Sequence, residues 1–171
     1  LCFNSKQLIG NGLIIPSGPL RERLNAISRA DCIIINGDRT KETLAFEDKI
    51  TKIIPEKKMH FFYSKYSIDN IENLRNKKIT AFAGIGNPSN FFNLLKENKL
   101  DIKKTFSFPD HHEYSQSDFD QIIYDKSTEI FTTKKDYFRL NDKQKEICNY
   151  VEINLEIENK DQLESLIRNA L

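Results

Sequence analysis

The 171-residue chain carries 26 basic and 25 acidic side chains, for a net charge of +1, with 39% hydrophobic and 30% charged residues. That balance supplies no general electrostatic drive toward nucleic acid, and the length suffices to bury the core of one domain. Cys2, Cys32 and Cys148 are widely spaced and form no C-x-x-C, so they indicate neither a zinc knuckle nor a disulfide framework, and a reducing compartment is the default. No run approaches the roughly 20 apolar residues of a membrane span, and the first residues lack a signal-peptide pattern.

Residues 1–25 hold Gly10, Gly12, Gly18, Pro16 and Pro19 and are expected to form a turn-rich interdomain segment ahead of one domain over 26–171. The chain starts at Leu1, has Met59 as its only methionine and runs at once into structured-looking sequence, as expected of the later part of something longer. Within the first segment, Pro16-Ser17-Gly18-Pro19 is expected to be a rigid turn presenting Arg21 and Glu22. An arginine there can grip phosphate through two parallel hydrogen bonds, and a glutamate can position it or accept a substrate hydroxyl. The same residues fit a surface turn with an exposed ion pair.

Beyond it, Asp31 to Asn36 is a continuous apolar run that predicts a strand buried on both faces and closed by Asn36-Gly37. Further strands are expected at 58–63, 79–83, 104–108, 129–132 and 150–155. Helices are expected at 43–53, 69–75, 88–98, 117–126, 142–148 and 160–170, the last with Leu163, Leu166, Ile167 and Ala170 along one face. The alternation predicts an α/β fold with a mainly parallel sheet flanked by helices, a Rossmann-like three-layer sandwich. Ligands of such sheets sit at the carboxyl ends of the strands.

Two polar loops fall at those ends. Gly84-Ile85-Gly86-Asn87-Pro88 follows the strand Ile79 to Ala83 and opens a helix. Its glycines permit a sharp turn and close approach of the backbone, Asn87 can cap the helix, and Pro88 suits the first turn. The free amides of that helix start could bind an anion, although a tight packing turn without a ligand reads the same way, and Ser89 stands where a dinucleotide fingerprint has its third glycine.

Phe108-Pro109-Asp110-His111-His112 follows the next strand, so the two loops point to one shared site. A carboxylate beside an imidazole can orient a base, fix its tautomer or bind a metal, and neighbouring histidines on an extended segment point to opposite sides. A local Asp-capped turn is the alternative. A metal phosphoesterase would need further aspartates upstream in a D-x-D arrangement, and Asp118-Phe119-Asp120 instead comes later, on an expected helix, so no metal ligand is assigned. Thr132-Thr133-Lys134-Lys135-Asp136 opens a third helix, and capping by its hydroxyls accounts for it. None of the six glycines is followed by lysine, so the chain has no G-x-x-x-x-G-K-[ST] phosphate loop.

These stretches, with Gly10-Asn11-Gly12 and Arg29-Ala30-Asp31, occur in one order over most of residues 10–140. In that order the chain resembles the C-terminal half of the tetraacyldisaccharide 4'-kinase family, the lipid A 4'-kinases. The resemblance implies the C-terminal domain of a P-loop-type lipid kinase. Such an enzyme transfers the ATP γ-phosphate to the 4'-hydroxyl of the tetraacyldisaccharide 1-phosphate precursor in lipid A biosynthesis, peripherally at the cytoplasmic face of the inner membrane. It implies that ATP and Mg are bound mainly by an N-terminal half that is not in this chain, leaving the lone chain inactive.

By the same resemblance, Asp110 and His111 are the catalytic element, with His111 orienting an aspartate of the other half. Arg21 and Glu22 lie near the acceptor, and Gly84, Gly86 and Asn87 line the nucleotide side of the cleft. Leu13 replaces a usual basic residue, Arg23 a usual proline and Lys134 a usual acid. A stand-alone α/β module that binds a nucleotide or sugar phosphate without catalysis is the other reading of the same residues.

Overall fold

The computed structural model describes residues 1–170. Strands and helices follow in the order β1 (Cys2–Asn4), β2 (Cys32–Asn36), α1 (Lys41–Ile53), β3 (His60–Ile68), β4 (Lys78–Ala83), α2 (Pro88–Glu97), β5 (Asp101–Ser107), α3 (Gln116–Ile122), β6 (Glu129–Thr133), α4 (Lys134–Tyr137), α5 (Asp142–Glu146), β7 (Cys148–Val151), β8 (Ile153–Ile157) and α6 (Lys160–Ala170). They build an α/β fold with two four-stranded sheets, ordered β1-β2-β3-β8 and β5-β4-β6-β7. Each pairing whose register is described is parallel.

The chain divides into two compact units, one of residues 1–65 with Leu155 onward, the other of residues 66–154. The divisions therefore fall in β3 and β8 and not at residue 25. In the first unit Phe3, Leu8, Ile9 and Leu24 pack against a core of Ile33, Ile35, Phe46, Ile50 and Tyr63. The turn-rich first segment is thus part of that unit's packing. Helix α1 begins with a reciprocal cap between Thr40 and Thr43 and presents Phe46 and Ile50, four residues apart, to the core.

Strand β2 departs from the expectation of two buried faces. Ile33 and Ile35 are fully buried, whereas Cys32, Ile34 and Asn36 are half-buried. Successive side chains of a strand point to opposite faces, and only the face toward Phe46 and Ile50 is fully covered.

In the second unit β4 is buried from Ile79 to Ala83. Its alternate residues enter different clusters: Ile79, Ala81 and Ala83 join Phe91, Phe92 and Leu95 of α2, while Phe82 joins Phe119 and Ile122 of α3. This is helix, sheet, helix layering, with each buried Phe, Leu or Ile contributing about 1.5–3 kcal/mol.

Two expected elements change identity. The helix at 69–75 is only a 3₁₀ turn at Ile71–Asn73, because the Asn70 side chain donates to the Tyr150 carbonyl and accepts from the Glu152 amide instead of supporting a helix. The same two bonds tie down the backbone at Glu152, so the strand expected at 150–155 is two strands, β7 and β8, in different sheets. On α6, Leu163 is 5% exposed and Ile167 is 49% exposed, so the apolar stripe is narrower than expected. The side chain of Ala170 lies outside the described residues. Among the described residues no helix is long and apolar enough to cross a membrane.

Candidate functional site

Parallel register places three strand ends side by side. Ala83 pairs with Ser107 and Phe82 with Thr132, so β4, β5 and β6 release their loops at one edge of the sheet. The Gly84-Ile85-Gly86 loop, the Pro109 to Tyr114 loop and the start of α4 converge there. The first two loops touch: the His111 amide donates to the Gly84 carbonyl at 3.3 Å. A Cβ in place of the Gly84 hydrogen would lie 2.7 Å from Tyr114 Oη and 3.1 Å from the Pro109 carbonyl oxygen, so a side chain there would force these neighbours to shift.

Asp110 and His111 form the exposed lip of this edge. Asp110 Oδ1 accepts from Lys135 Nζ at 3.1 Å and from the His111 amide at 3.0 Å. The Lys135 bond is the main reason its carboxyl sits below the ordinary carboxylate value. The His111 ring comes no closer than 3.8 Å to Asp110, so the carboxylate grips the histidine backbone and not its imidazole. His111 itself has φ of 63°, a left-handed conformation, and its side chain is 73% exposed.

The two histidines diverge, as expected, though through a turn instead of an extended strand. His112 stacks on Phe108 with ring centroids 4.7 Å apart, and its Nε2 lies 3.0 Å from Asp118 Oδ2. Burial pushes the Asp118 carboxyl up, but the Ser115 amide and hydroxyl and the His112 ring outweigh it and leave the group below its ordinary value. His112 is therefore a structural residue. Pro88 occupies the first turn of α2 as expected, whereas Asn87 stands at the cap position without using its side chain as a cap.

Beneath the lip lies a buried polar layer that capping of a helix by the Thr132 to Asp136 motif does not predict. Asp136 is fully buried. Its Oδ2 accepts from the Gly84 amide at 3.0 Å and from the Thr133 hydroxyl at 2.7 Å, and its Oδ1 lies 3.6 Å from Arg139. Arg139 also donates to the His112 carbonyl at 3.0 Å. Burial, then the nearby Asp136 carboxylate, pushes the Tyr114 phenol well up. Thr133 does cap α4, as expected, but capping alone does not exhaust the motif.

Arg21 and Glu22 belong to the other unit. Asn11 stitches their turn by donating to the Ser17 carbonyl at 2.8 Å and accepting from the Leu13 amide. Glu22 pairs with Arg29, both side chains being largely exposed. Arg21, Glu22, Arg23 and Arg29 line a concavity of about 540 Å³. Of the residues that depart from the family pattern, Leu13 is exposed and Lys134 contacts Glu152 at 3.3 Å.

Among the described residues no group of three or more His, Cys, Asp or Glu side chains is arranged to hold a metal ion. Nor does any glycine precede a lysine to form a triphosphate loop. Burial pushes the Cys148 thiol up to about 12, which disfavours its thiolate form.

Comparison with known proteins gives a consistent result. The family model described as tetraacyldisaccharide-1-P 4'-kinase matches residues 1–171. A tetraacyldisaccharide 4'-kinase of Pelagibacter ubique (strain HTCC1062) is 37% identical over 167 residues, covering 95% of this chain and 52% of the relative. One from Rickettsia akari (strain Hartford) is 34% identical, covering 96% and 49%. LpxK from Aquifex aeolicus, crystallised in complex with ATP, shares the fold with a TM-score of 0.64 at 23% identity, over 98% of this chain and 50% of that one. The chain spans about half the length of the curated relatives it matches. The chain belongs to the tetraacyldisaccharide-1-P 4'-kinase family.

Proposed function

We propose that these residues act as the C-terminal half of a tetraacyldisaccharide 4'-kinase, which moves the γ-phosphate of ATP to the 4'-hydroxyl of the tetraacyldisaccharide 1-phosphate precursor of lipid A. An N-terminal half supplies the triphosphate grip, and the assembled enzyme works peripherally at the cytoplasmic face of the inner membrane. The observation that carries the reading is the seating of the Asp110-His111 turn on the Gly84 carbonyl, with the imidazole left exposed.

An imidazole is the side chain best suited to exchange a proton near neutrality. His111 handles the proton of the acceptor hydroxyl together with a carboxylate of the other half, and Asp110 with Lys135 fixes the backbone from which the ring projects. On the family resemblance we assign Gly84, Gly86 and Asn87 to the nucleotide, and separately Arg21 and Glu22 to the acceptor. No step is assigned to magnesium through this chain's residues.

A stand-alone phosphate-binding module is the second reading of the same loop. The Asp110 carboxylate lies 3.7 Å from where a Cβ of Gly86 would be and is paired with Lys135 at 3.1 Å, so neither reading is favoured by charge alone.

The test is a phosphotransfer assay with radiolabelled ATP and the disaccharide acceptor. The chain alone gives no product, addition of an N-terminal half restores transfer, and His111→Ala lowers the restored rate by about 100-fold or more, as expected for a lost proton-handling group. Transfer by the lone chain, or full activity of His111→Ala, would contradict the reading.

A further inference from the structure

Asp136 touches no solvent, and a carboxylate is kept in such a place only where hydrogen bonds and a counter-charge offset its desolvation. Here it receives the Gly84 amide and the Thr133 hydroxyl on one oxygen and faces Arg139 with the other. Gly84 is consequently gripped from both sides. Its N–H goes down to Asp136 and its carbonyl goes up to the His111 amide. His111 is held in left-handed backbone, which a residue with a side chain adopts only where its surroundings impose it.

The arginine closes a second link. Arg139 Nη2 donates to the His112 carbonyl while its Nη1 lies 3.6 Å from Asp136 Oδ1, an attraction of opposite charges and not a hydrogen bond, so the carboxylate's hold on His112 is electrostatic and adds to its bonded hold on Gly84. Bonds to an ionised acceptor are stronger than neutral ones, which lets one buried group hold two loops.

We propose that Asp136 is a positioning residue for His111, acting through Gly84 and Arg139. Its effect on catalysis rests on the reading of His111 as the proton-handling group; its effect on the loop does not.

Amide hydrogen exchange and phosphotransfer, both measured on the full chain, separate the two. In the wild-type chain the Gly84 amide exchanges more slowly than those of Ile85 and Gly86. In Asp136→Asn, which keeps the shape and removes the charge, the Gly84 and His111 amides exchange roughly ten- to a hundredfold faster, the range for loss of a charge-assisted hydrogen bond. Amides of β1 to β3 stay as they were. With an N-terminal half supplied, kcat falls about tenfold or more while KM for ATP is unchanged. Thr133→Val follows the same pattern, and Thr133→Ser, which keeps the hydroxyl, restores both readouts.

A Gly84 amide that exchanges as fast as Ile85 in the wild type overturns the proposal without any variant. An unchanged kcat in an Asp136→Asn chain whose loop protection is lost also overturns it. Absence of transfer by the wild-type pair overturns only the kinase reading.

Discussion

Glu22 with Arg29 and Asp136 with Arg139 are both carboxylate–arginine pairs, and the protein uses them in opposite ways. The first joins two largely exposed side chains on a surface turn, where water and salt screen it and its contribution to stability is small. The second sits under the glycine loop with its carboxylate fully buried, where it accepts from the Gly84 amide and the Thr133 hydroxyl. Burial, more than proximity of charge, separates a pair that decorates the surface from one that sets the geometry of two loops. Mutations that expose or remove each member test that contrast.

The largest effect is expected below the buried pair. Phe82 is fully buried in edge-to-face contact with Phe108, Tyr114 and Phe119, so it supports both the sheet and the histidine loop. Phe82→Ala is expected to destabilise the chain by about 3–5 kcal/mol in urea unfolding, the range for truncating a buried aromatic. A loss under about 1 kcal/mol would mean that the loop does not depend on this core.

Next comes Arg139→Ala, which strands a buried carboxylate and is expected to cost about 3 kcal/mol at neutral pH. If unfolding curves for this variant overlay the wild type, the buried pair is no more consequential than the surface one.

The cap of α3 gives a pH-dependent effect of intermediate size. Asp118 has a folded pKa below its ordinary 3.8, so its stabilisation is complete above that value and is lost as pH falls through the folded pKa. Asp118→Asn is expected to lower stability at pH 7 and to flatten the acid limb below pH 3.8. An acid limb as steep as the wild type's would assign the transition to other carboxylates. At the small end, Glu22→Ala is expected to change stability by less than about 0.5 kcal/mol in 0.15 M salt. A change above about 2 kcal/mol would show that this turn is held far more firmly than its exposure implies.

Much of this was legible in the residues. Periodicity located β4, α2, β6 and α6, and the glycine and histidine motifs marked two loops that do meet, because strand-end position in a parallel sheet is readable from order alone. What escaped was long-range partnering. Nothing local to Asn70 announces that its amide will bind Tyr150 and Glu152 and so replace a helix with a turn. Helix capping by the hydroxyls of the Thr132 to Asp136 motif says nothing of Asp136, whose burial beneath Gly84 depends on a residue 52 positions away. The one available signal was that its Thr-Thr-Lys-Lys-Asp motif begins at a strand end neighbouring the glycine loop's strand. Tyr114 and Arg139 carried no comparable signal, because an isolated tyrosine or arginine in a loop looks the same whether it is surface or floor.

In the proposed division of labour this chain furnishes a proton-handling imidazole, and an N-terminal half supplies the grip on triphosphate. Calorimetric titration of the chain with ATP measures that division directly. The account predicts no saturable heat from the lone chain and saturable binding once an N-terminal half is added. Tight, stoichiometric binding of ATP by these 171 residues alone would contradict it.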